Sequence, residues 1–124
     1  MLWPKLSIGT VALLAVGLIA APASAHPSLK SANPAADAAT TGSPTEIQLT
    51  FSEGLIAKFS GLELKDERGK TIATGAATVD PQDNKRLLVP VKTPLTAGRY
   101  TVKWHVVSGD THRVQGQYSF TVGR

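Results

Sequence analysis

The sequence predicts an all-β domain, an antiparallel β-sandwich of about seven short strands. Three observations carry this. Apolar residues recur at every second position in several runs, such as Ile47, Leu49 and Phe51, or Tyr100, Val102, Trp104 and Val106. That period places one face of each run against a core and the other in water. Turn-forming clusters rich in Gly, Pro, Asn and Asp separate the runs, and no window sustains the 3.6-residue period of an amphipathic helix.

Taken in order, a short segment containing Leu29 ends at Asn33-Pro34, and residues 35–43 read as a loop with room for one helical turn. Residues 46–52 alternate and form a half-buried strand that Glu53-Gly54 interrupts, and an irregular apolar connection follows over 55–59. Leu62 and Leu64 mark the next strand, closed by the turn Asp66-Glu67-Arg68-Gly69, whose glycine supplies the positive φ that such turns favour. Residues 70–79 read as one weaker Ala- and Thr-rich strand with a bulge at Gly75, and residues 80–84 read as a loop. Leu87, Val89 and Val91 alternate, with Pro90 placing this run at an edge or a strand end. The strongest strands span 99–107 and 114–122, with Tyr100, Trp104, Tyr118, Phe120 and Phe51 as the expected core.

The first 25 residues read as a cleaved export signal: Lys5, an uncharged apolar run over 8–21, then Ala23-Ser24-Ala25 before the cut. The run is shorter than the roughly 20 residues a membrane-spanning helix needs. The expected product is a periplasmic or secreted domain spanning 26–124, with no membrane anchor. Removing 25 of the 124 residues leaves 99, enough for one small core without disulfides. Losing Lys5 takes the formal net charge from +4 to +3, and the remaining cations are scattered singly. No basic block interleaved with aromatics points to nucleic acid.

The chain has no cysteine, and its one methionine is Met1. Any metal held by the processed domain therefore meets only nitrogen and oxygen donors. Asp110 and His112, in the stretch 108–112 between the two strongest strands, lie two positions apart, and their side chains start about 7 Å apart on extended backbone. His26 becomes the first residue after cleavage, so its α-amino nitrogen and ring Nδ1 can chelate one ion. Pro27 has no amide hydrogen, so coordination cannot continue along the backbone. Two imidazoles, an amine and a carboxylate form a tetragonal N/O set that suits Cu(II). Hydrolase chemistry finds no support: there is no Gly-x-Ser-x-Gly elbow, no cysteine nucleophile and no phosphate-cradling glycine loop.

The export signal followed by His26-Pro27, the run Leu49-Thr50-Phe51-Ser52-Glu53, the run 98–104 and the closing run 106–112 with Gly116, Tyr118 and Phe120 together resemble the CopC copper-resistance proteins. The resemblance covers the whole processed chain. It implies a single immunoglobulin-like Greek-key sandwich or barrel, likewise of about seven strands, that binds Cu(II) in copper homeostasis and resistance. It also implies that His26, Asp110 and His112 are the ligands, with Glu53 beside them rather than among them. Three departures stand out. Thr111 occupies a place where glycine is expected, and His105 one where arginine is common. A methionine-rich Cu(I) segment, carried by some members, is absent after residue 1.

The leading expectation is a monomeric copper carrier or buffer, not an enzyme, with the copper ion and an inner-membrane copper transporter as candidate partners. Two alternatives are a copper-dependent oxidative enzyme built on the N-terminal histidine and a metal-free immunoglobulin-like interaction module.

Overall fold

A computed structural model describes residues 26–123. These residues form nine strands: β1 (Leu29–Asn33), β2 (Ala39–Thr40), β3 (Glu46–Phe51), β4 (Gly61–Asp66), β5 (Thr71–Ile72), β6 (Thr78–Asp80), β7 (Asp83–Pro90), β8 (Gly98–Val107) and β9 (Arg113–Val122). They build two sheets, one ordered β1-β3-β7-β6 and the other β2-β9-β8-β4-β5. The expected export signal and its cleavage point lie outside the described residues, apart from His26 itself.

The all-β sandwich is as expected, and the strand count differs for two physical reasons. Residues 70–79 do not form one strand. β5 pairs with β4 in the five-stranded sheet, whereas β6 pairs with β7 in the four-stranded one. The intervening Gly75 donates its N–H to the carbonyl of Pro90, which carries the chain from one sheet to the other. Alternation reports which face a residue presents but not which sheet it joins. The second difference is β2, inside the expected loop at 35–43, which pairs parallel with β9. The segment 80–84 is a tight hairpin, with β7 already under way at Asp83.

The inward faces follow the pattern of the sequence. Ile47, Leu49 and Phe51 of β3, Leu87 and Val89 of β7, Tyr100, Val102, Trp104 and Val106 of β8, and Tyr118, Phe120 and Val122 of β9 are buried in one core. Each large apolar side chain fully removed from water contributes about 1.5–3 kcal/mol. Phe51 meets the Trp104 ring edge-on at 5.1 Å, and Tyr100 stacks on Phe120 at 5.8 Å. Tyr100 also donates its hydroxyl to the carbonyl of Thr96 at 2.7 Å, locking the entry to β8. Opposite Trp104 in the register stands Gly116, where a Cβ would come within 2.4 Å of the indole. Only a residue without a side chain leaves room for that ring.

Pro90 closes β7, as a residue unable to donate to the ladder should. Asp66 caps the β4–β5 turn by accepting the N–H groups of Arg68 and Lys70 at 2.9 Å, and Gly69 takes φ +81° there.

Candidate metal centre

One rim of the sandwich gathers three segments that lie far apart in sequence. The first is the start of the described chain. Pro27 is fully buried, and the backbone of Ser28 is clamped to the end of β3 by two bonds. The Ser28 N–H donates to Ser52 Oγ at 2.9 Å, and the Ser52 N–H donates to the Ser28 carbonyl at 2.9 Å. The second segment is the connection after β3, where Ile56 N–H bonds the carbonyl of Val107 and Leu55 bridges to Ser108. The third is the β8–β9 loop, residues 108–112. It is tied to the second by Gly109 N–H donating to the Gly54 carbonyl at 3.1 Å.

The loop is closed by its own backbone. Ser108 N–H donates to the His112 carbonyl at 3.0 Å, and Thr111 N–H donates to the Ser108 carbonyl at 2.9 Å. Thr111 adopts φ +69°, the left-handed conformation that a branched side chain rarely takes and that glycine would accept freely.

This scaffold brings His26 against His112. Their imidazoles meet edge to face with centroids 4.9 Å apart and planes at 81°. Asp110 Oδ2 lies 2.9 Å from His112 Nδ1. Asp110 Oδ1 accepts a hydrogen bond from the Ser108 hydroxyl. That bond, more than the His112 contacts, holds the Asp110 carboxyl below the ordinary carboxylate range, against some loss of hydration.

The candidate ligands thus form a chain of contacts, His26 to His112 to Asp110, at a solvent-facing edge. Among the described residues no three His, Asp or Glu side chains are already arranged around one point. His112 and Asp110 are turned onto each other, and the α-nitrogen of His26 is in amide linkage while Ala25 precedes it. An ion would use the freed amine and draw the two rings and the carboxylate around itself. The donor set fits a tetragonal N/O ion, because the chain after Met1 offers no sulfur.

Glu53 lies on the chain between Ser52 and Gly54, the two residues that tether the terminus and the loop. Among the described residues its side chain makes no hydrogen bond or ion pair with the other candidates. His105 stands on the outer, exposed face of β8, its ring packed over Gly61 of β4. It is not part of this cluster. The sequence does not show that Ser28, Ser52 and Ser108, together with the buried Pro27, hold the rim together. A small polar residue beside a ligand pair was the only local sign of Ser108.

A two-sheet β-domain with a histidine near one end of the chain, set against an Asp-x-His loop, is the class that this fold and rim define. Within it, the chain belongs to the CopC domain family, whose model matches residues 29–123. Copper resistance protein C of Escherichia coli is 44% identical over 126 residues, covering 94% of this chain and 99% of that protein. The crystal structure of CopC from Methylosinus trichosporium OB3b superposes with a TM-score of 0.73 at 32% identity, covering 78% of this chain and 93% of that one. PcoC, a methionine-rich copper resistance protein from Escherichia coli, gives a TM-score of 0.71 at 41% identity, covering 80% and 100%. In the present chain the sole methionine is Met1.

Proposed function

We propose that this protein is a periplasmic Cu(II) binder that carries or sequesters copper, a role in copper homeostasis and resistance. Membership of the CopC family supports the copper reading. The observation that carries the site is the approach of the His26 ring to His112, with Asp110 bonded to the same ring. Removal of residues 1–25 would free the His26 amine, giving an amine–imidazole chelate that His112 and Asp110 complete. Copper is then cargo, held without a substrate cleft, and the protein is a binder rather than a catalyst. Nitrogen and oxygen donors alone favour Cu(II) over Cu(I), which prefers thiolate or thioether. The exposed position of His26 and His112 suits transfer to a membrane copper transporter by direct contact, with the carrier acting as a monomer.

The test is mass spectrometry of the exported protein to locate its first residue, followed by a Cu(II) titration read by EPR. A terminus at His26 and an axial spectrum with nitrogen hyperfine structure are expected. A first residue other than His26, or a preference for Zn(II) alone, would overturn the reading.

A further inference from the structure

We infer that Ser108 is a positioning residue for copper: its hydroxyl bonds Asp110 Oδ1 and so fixes the carboxylate against His112. This rests on the proposed copper site and deepens it. Ser108 is 1% exposed, at the junction of β8 and the loop. Its backbone is held on both sides, by its N–H to the His112 carbonyl and by its own carbonyl accepting from Thr111, and it bridges to Leu55. A buried hydroxyl requires a partner. The His112 carbonyl is 3.5 Å from Oγ, at the outer limit for a hydrogen bond, whereas Asp110 Oδ1 accepts from it directly. Asp110 Oδ1 is therefore the acceptor of the Ser108 hydroxyl, and the direction of donation is set.

The consequence is geometric. Asp110 is half-exposed and on a loop, where its carboxylate would otherwise turn freely. With Oδ1 pinned by a buried, backbone-fixed donor, the plane of the carboxylate is set and Oδ2 faces His112 at 2.9 Å. The carboxylate is thus held at the His112 ring, where an ion shared with that ring would meet it. Groups that orient a metal ligand in this way typically change affinity by about 10–100-fold when removed.

The experiment uses the processed chain beginning at His26, with Ser108→Ala, Ser108→Thr, Asp110→Ala, the double variant Ser108→Ala/Asp110→Ala, and His26→Ala. Cu(II) affinity is measured by competition with a chromophoric chelator, the copper environment by EPR, and the metal-free carboxylate by the 13C shift of Asp110. Ser108→Ala is expected to weaken binding by about tenfold or more, alter the EPR spectrum and move the Asp110 carboxyl shift. Ser108→Thr should restore all three, and with Asp110 already replaced, loss of the hydroxyl should cost no further affinity. Ser108→Gly is a second hydroxyl deletion should the alanine variant fold poorly. If Ser108→Ala matches the parent in affinity and spectrum while His26→Ala binds far more weakly, the positioning role is overturned and the copper site stands. The role also falls if Ser108→Ala costs as much without Asp110 as with it. Parent binding no tighter than that of His26→Ala would remove both the site and the role built on it.

Discussion

The imidazole of His26 lies edge-on to that of His112, 4.9 Å between centroids, although the two residues come from opposite ends of the described chain. The approach does not depend on either ring. It is produced by the buried Pro27, the paired bonds between Ser28 and Ser52, and the Gly109–Gly54 bond that fastens the loop.

If the terminal amine is a ligand, its chemistry must be free. A chain bearing one extra residue before His26 should bind Cu(II) about two orders of magnitude more weakly, on the order of 2.7 kcal/mol. Isothermal titration of the processed and extended chains checks this. Equal affinities would eliminate the amine from the site.

Copper affinity should fall as the pH drops from 8 to 5. The Asp110 carboxyl is held below its usual range, chiefly by the Ser108 hydrogen bond, so it remains ionised throughout that window. Protons therefore compete with copper at the amine and the ring nitrogens, whose ligating forms are unprotonated. Metal competition titrations at several pH values read this directly. A flat profile would contradict the donor set.

Ser52→Ala should loosen the terminus. It removes the acceptor for the Ser28 N–H while leaving the second Ser28–Ser52 bond in place. A stability loss of about 0.5–1.5 kcal/mol is expected, with a larger proportional loss in copper affinity than in stability. Thermal melts and copper titration of the same variant separate the two.

Gly116→Ala should damage the core rather than the rim. Its methyl would sit 2.4 Å from the Trp104 indole, which is also packed on Phe51. Overpacking of this kind costs about 1–3 kcal/mol, and more if the ring cannot shift. Denaturant unfolding followed by the fluorescence of Trp104, the one tryptophan of the processed chain, measures the loss. Cu(II) binding by the folded fraction should be unchanged.

Much of this protein could be read without coordinates. The alternation in residues 46–52, 99–107 and 114–122 selects the buried faces, because a strand turns successive side chains to opposite sides and water sorts them. The same composition limits the donors after Met1 to nitrogen and oxygen, and the position of His26 after Ala25 suggests an amine that processing would free. Tertiary structure decided what local pattern does not encode. Residues 70–79 divide between two sheets because pairing partners lie far along the chain, and β2 joins β9 in parallel through residues with no strand signal of their own. Ser108 looks like any loop serine in sequence. Folding buries it, and a buried hydroxyl must find an acceptor, which here is Asp110.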